Sequence, residues 1–325
     1  MSDNKILKRR FREQILVMLG REPAKPQEIS PRAIEIHELK RINAKANREA
    51  LRHPESTSHK WRHRRWIVLL LVNLLFVVSY HLDIQILEGA LTASRFVGFH
   101  LIDLNSALQV MLAHKHVIDN LVIGTGTVLV LWALLGGRTF CSWVCPYHLL
   151  SELAEKIHLW LAKKRLVVDQ TIDRRLRTLF WALFVVLAFA TGYTVYEAIS
   201  PTGIVSRALI YGPGLALLWV VALLAFEIFF SRRAWCRYVC PIGLTYGVVG
   251  IISPVRIKYT LESCHHEGDC RKVCLVPHVL DTVIKGRAVD AEVPIGPDCT
   301  RCGLCVDACP TGSLKYDVKG LSKLL

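Results

Sequence analysis

The chain has 325 residues, 52% of them hydrophobic, and a formal net charge of +14. That pairing excludes an ordinary soluble domain and suits a membrane protein that carries its charge in loops. Its 11 cysteines fall in four tight groups, which excludes a disulfide framework and points to metal or cluster ligation in a reducing compartment.

Residues 1–65 are polar and basic, with no secretory-leader pattern before the first apolar run near Trp66. Within them "SPRAIEIHELKRINAKANREAL" predicts a helix with Ser30 as N-cap and Pro31 at N1, ending before Pro54. The simplest reading of 1–65 is a cytoplasmic arm lying on acidic phospholipid. A nucleic-acid partner is not expected, because its cations are not interleaved with a stacking platform of aromatics.

Apolar segments follow near 66–87, 117–136, 178–199 and 213–231, each supplying the roughly 20 residues that cross a bilayer core. The arm and the 137–177 loop are dense in Lys and Arg, whereas 88–116 holds only Arg95 and Lys115, and 200–212 only Arg207. The positive-inside rule then predicts a multi-pass protein of the bacterial inner membrane with both termini cytoplasmic. A membrane domain over 66–254 and a cytoplasmic iron–sulfur domain over 255–325 follow. Near the outer face lie His81, Asp83, Asp119 and Glu197, with Tyr193 and Tyr196. Of these, His81, Asp83 and Glu197 are candidates to take protons from a quinol. The alternative is that they only mark the headgroup region.

An internal repeat is visible in "RTFCSWVCP" (138–146) and "RAWCRYVCP" (233–241). Each proline should hold the cysteine before it out of helical geometry and open a new helix. After the first turn, Leu149, Leu150, Leu153, Ile157 and Leu161 share one helical face, which predicts an amphipathic helix at the cytoplasmic surface. Arg138 and Arg233 should favour thiolate in the turns. Cys141, Cys145, Cys236 and Cys240 are candidates to converge on a further metal or cluster; the alternative is four small buried apolar residues.

The tail "DCTRCGLCVDACP" is C-x2-C-x2-C-x3-C-P, the bacterial iron–sulfur run. "SCHHEGDCRKVC" keeps the same frame with Glu267 where a cysteine is expected. In two-run ferredoxins the fourth cysteine of each run serves the other cluster. That rule assigns Cys299, Cys302, Cys305 and Cys274 to a complete [4Fe–4S] site, and Cys264, Cys270 and Cys309 to a second site whose corner faces Glu267. Three answers stay open for that corner: ligation by Glu267 (or by His265 or His266), a three-iron cluster, or an empty site. Zinc is the alternative to iron–sulfur.

Together "RTFCSWVCP", "WCRYVCPIGLTYGVVG", "CRKVCLVPHVL" and "DCTRCGLCVDAC" resemble the NapH-type membrane ferredoxin family over roughly residues 60–315. The resemblance implies an α-helical membrane protein with four transmembrane helices, interfacial helices and a small α+β two-cluster ferredoxin-like domain. It also implies two cytoplasmic clusters and a quinol dehydrogenase component passing electrons from the quinone pool towards a periplasmic or membrane redox partner. The second reading is a maturation factor that reduces copper or another metal for assembly of a metalloenzyme. Glu267 departs from the family pattern, and the first 45 or so residues match no part of it.

Overall fold

A computed structural model describes residues 11–24, 26, 29–42, 59–83, 87–96, 99–264, 268–284 and 286–320. The chain divides into two compact units: 66–132 with 140–246, and 1–65 with 133–139 and 247–325.

The first unit is mostly helical. Its long helices cover Lys60–His81 (begun in the other unit), Asp119–Leu135, Arg175–Thr191 and Ala216–Phe229. Lys60–His81 is long and apolar enough to cross a membrane, while Asp119–Leu135 and Ala216–Phe229 are apolar but shorter. The third ends where Gly192 takes a left-handed φ of 69°, eight residues before the end of the predicted segment. All four leave large apolar side chains outward, among them Leu71, Ile123, Leu179 and Leu218.

Between the first two helices, strands β1 (Leu87–Ala90), β2 (Ala93–Phe96) and β3 (Phe99–Ile102) form an antiparallel meander. β3 lies so close to Asp119–Leu135 that a Cβ on Gly124 would fall 1.6 Å from the His100 carbonyl oxygen, so only glycine fits there. The chain then enters the helix Leu104–His114, whose N-cap Asp103 accepts from the amides of Asn105 and Ser106. A counterpart of equal length, Pro201–Tyr211, stands between the last two long helices and opens on Pro201. Both helices are largely buried at their N-terminal ends. Each half of the unit thus runs long helix, 11-residue helix, long helix, cysteine turn.

The prolines act as expected. Cys145 and Cys240 are extended (ψ 117° and 112°), and helices Pro146–Lys163 and Pro241–Val249 start directly after them. Pro146–Lys163 is turned inside out for a protein in water. His148, Ser151, Glu152 and His158 are buried, while Leu153, Ile157 and Trp160 are exposed.

In the second unit, β4 (Val255–Thr260) is flanked by β5 (Glu292–Pro294) and β6 (Leu314–Val318), both antiparallel to it, in the order β5-β4-β6. Short helices Asp269–Val273 and Leu304–Asp307 pack together beside this sheet. The predicted arm helix forms over Pro31–Ile42, with the Ser30 hydroxyl accepting from the Ala33 amide. It is not a free arm, however: Ser30 N–H donates to the Val289 carbonyl, and Ala33 is buried in the core around β4. The stretch up to Pro54 lies outside the described residues.

Candidate iron-sulfur centres

The two C-terminal cysteine runs adopt matching local structure. Gly268 (φ 86°) precedes Asp269–Val273 and Gly303 (φ 77°) precedes Leu304–Asp307. In each case the cysteine two residues after that glycine, Cys270 or Cys305, sits on the short helix. Glycine suits both positions because the left-handed backbone there disfavours a residue with a Cβ. Glu267 holds the place before Gly268 that Cys302 holds before Gly303. Glu267, His265 and His266 themselves lie outside the described residues.

The electrostatic neighbours of the thiols group them into two overlapping sets. Cys305 interacts most strongly with Cys274, then with Cys302 and Cys299, and also with Cys270. Cys270 interacts with Cys264 and Cys309, and these three also surround the Tyr259 phenol. Cys274, Cys299, Cys302 and Cys305 are buried, whereas Cys264, Cys270 and Cys309 are half-buried. Burial pushes the Cys299 and Cys270 thiols up to about 11. A metal bound here would therefore have to displace protons from buried thiols, the usual coupling of ligation to pH.

The donor chemistry fits iron–sulfur clusters. Arg301 N–H lies 3.4 Å from the Cys299 sulfur, and Ser313 N–H 3.2 Å from the Cys309 sulfur; such contacts offset thiolate charge. Among the described residues, no three His, Cys, Asp or Glu side chains are gathered tightly enough for a single metal ion. Cluster thiolates bind separate irons and need wider spacing than the ligands of one zinc ion.

Buried charges brace this region. Arg138 donates to the Asp298 carboxylate at 2.7 Å and to its main-chain oxygen at 2.8 Å. Arg301 donates to the carbonyls of Gly136, Gly250, Val255 and Cys299. The Asp307 carboxylate accepts from the amides of Trp61 and Arg62, capping the start of Lys60–His81.

The C-x3-C-P turns bring Cys145, Cys236 and Cys240 within electrostatic reach of one another, and Cys141 within reach of the Tyr246 phenol. Cys236 rides on a π-helical turn, Trp235–Val239. Cys145 pairs with the Thr202 hydroxyl at 3.2 Å and Cys240 with the Tyr196 phenol at 3.6 Å. Arg233 acts in the expected direction on Cys236 but is outweighed. Arg138 is bonded to Asp298, and Arg233 to Glu155 and His148. Burial dominates instead, pushing Cys145 up to about 11 and Cys236 well above its usual range.

A family model described as "4Fe-4S binding domain" matches residues 120–167 and 213–259, once around each C-x3-C-P turn, and a second model of that description matches 297–315. The ferredoxin-type protein NapH of Escherichia coli K12 is 33% identical over 281 residues, 82% of this chain and 94% of that protein. The chain belongs to the NapH-type ferredoxin family. The methylamine utilization ferredoxin-type proteins MauN of Methylorubrum extorquens and Paracoccus denitrificans are 28% and 34% identical, over 82% and 74% of this chain and 91% and 84% of their own lengths. No solved structure matches. This NapH-type chain is therefore a ferredoxin-type electron-transport protein with iron–sulfur clusters.

The three quinol-site candidates have separate placements in this NapH-type fold. His81 closes the helix Lys60–His81 at an exposed position, and Asp83 lies just beyond it with φ 51°. Glu197 instead accepts a hydrogen bond from Ser106. Sequence reading missed its neighbours Asp103 and Ser106, because it read 88–116 only for its low charge. The N-cap pattern "DLNS" before an apolar helix was the available signal.

Proposed function

We propose that this protein is a multi-pass inner-membrane component of a quinol dehydrogenase, with both termini cytoplasmic. It passes electrons from the quinone pool through its cysteine-held centres to a periplasmic or membrane redox partner. The observation that carries this reading is that seven C-terminal cysteines gather on one ferredoxin-like unit, with Cys274 the strongest electrostatic neighbour of Cys305, and Cys264 and Cys309 those of Cys270. Cys299, Cys302, Cys305 and Cys274 would hold a [4Fe–4S] cluster. Cys264, Cys270 and Cys309, with the corner at Glu267, would hold a second cluster of four or three irons. Bound clusters supply one-electron redox steps. The chain's own residues bury the thiolates, offset their charge with amides, and exclude water.

The outward apolar faces of four helices and the inverted helix Pro146–Lys163 support integration into lipid. Three of those helices, at 14 to 17 residues, are short for a span of about 30 Å, and their flanking turns supply the rest.

The electrostatic contact among Cys145, Cys236 and Cys240 supports a second reading, in which these soft donors, with Cys141, draw closer than they stand to take copper during assembly of a metalloenzyme. Protein purified without oxygen separates the two. Reduction of the iron–sulfur centres by a quinol supports the first. Copper bound stoichiometrically and lost in Cys145→Ser and Cys240→Ser, with no reduction by quinol, supports the second.

A further inference from the structure

Two carboxyl groups from different halves of the membrane unit meet at one serine. Ser106 Oγ donates to the Glu197 carboxylate and lies 3.4 Å from Asp103 Oδ2. One hydroxyl carries one proton, so it satisfies one of these carboxylates at a time. Asp103 is 4% exposed, and burial pushes its carboxyl up to about 6. Tyr246 and Glu197 are its ionisable neighbours. The Arg207 guanidinium donates to the Glu197 carbonyl; it and the Glu197 carboxylate both lie within 3.7 Å of where a Cβ on Gly203 would stand.

The second observation is independent of those acids. Gln109 is 0% exposed, and neither atom of its amide has a hydrogen-bond partner. Asn105 is 1% exposed and its Nδ2 is likewise unpartnered. Residues four and three apart on a helix share a face, so Gln109 lies one turn below both Asn105 and Ser106. Buried amides left without partners are costly and rare, and mark a place for a polar guest.

We propose that Asp103, Asn105, Ser106, Gln109 and Glu197 form the headgroup site for a hydroquinone. This deepens the quinol dehydrogenase reading and rests on it. The Gln109 carbonyl accepts from a quinol hydroxyl, and the Gln109 and Asn105 amino groups donate to the oxygens of the quinone product. On oxidation both O–H bonds of the hydroquinone break. Its two protons would pass to the Asp103–Glu197 pair and on to outer water, and its two electrons would be taken up, one at a time, by the one-electron centres that the chain's cysteines would hold.

The test uses the full chain with its clusters in nanodiscs, and menadiol as the probe. Gln109→Leu should raise the apparent KM for menadiol about tenfold, the loss of one or two hydrogen bonds. Asp103→Asn keeps a good N-cap. It should slow the maximal rate about a hundredfold, the low end for a positioned base, and flatten its pH profile near pH 6. Dithionite-reducible cluster content should stay unchanged in both variants. Wild-type kinetics in both variants would overturn this site while leaving the proposed function standing. A wild-type protein reduced by dithionite but not by menadiol would overturn both.

Discussion

Asp298→Asn tests how the proposed four-cysteine cluster site is held. Arg138 and Asp298 are 4% and 2% exposed at their side chains, and the carboxylate lies 2.7 Å from the guanidinium. Its other oxygen pairs with His278 Nε2. Removing one charge of a buried pair leaves the other uncompensated, a loss of about 3–5 kcal/mol. Arg138 also lies near the positive Arg301, whose own pKa is lowered first by burial and further by that neighbour. Losing the anion therefore leaves two buried cations facing each other beside Cys299. The expected outcome is release of the complete cluster at a midpoint several degrees lower, followed by thermal bleaching of its visible absorbance without oxygen. The double variant Arg138→Met, Asp298→Leu should recover part of the loss, since an apolar pair carries no stranded charge. Asp298→Asn with the wild-type midpoint, or a double variant worse than the sum of its single changes, would refute the reasoning.

Glu267→Cys supplies the thiolate that the second frame lacks. The expected outcome is an ordinary, less labile four-iron signal in place of a three-iron or high-potential one, read by anaerobic iron analysis and electron paramagnetic resonance. The Lys40 ammonium donates to the carbonyls of Leu261 and Cys264. Lys40→Met removes a positive charge that favours the reduced centre, so the potential of the second site should fall by tens of millivolts in a redox titration. An unmoved potential would mean that solvent screens the lysine. A reporter fused after Leu325 should be active only if it works in the cytoplasm; periplasmic activity would reverse the proposed topology.

The parts of the fold legible in the sequence were those with local signals. Ser30-Pro31 opened its helix, and Pro146 and Pro241 fixed extended cysteines before new helices. The repeated C-x3-C-P turns were visible as a repeat, and the family matches fall once on each. The long helices were read too far at their outer ends, because hydropathy runs on through the left-handed glycine at 192. Residues 88–116 were read only for their low charge, which gives no sign of the three-stranded meander and the capped helix there. The roles of Arg138 and Arg233 were also beyond local reading. Each lies a few residues before a thiol, yet its partner is 160 or 78 positions away. Sequence proximity to a cysteine does not decide where a long guanidinium side chain finds its anion.

The central claim is that the two runs exchange their fourth cysteines, and one comparison tests it most directly. Redox titrations followed by electron paramagnetic resonance would be run on Cys274→Ser and Cys309→Ser beside Cys305→Ser and Cys270→Ser. The account predicts that Cys274→Ser alters the same signal as Cys305→Ser, and that Cys309→Ser alters the same signal as Cys270→Ser. Pairing of Cys274 with Cys270, and of Cys309 with Cys305, would contradict it.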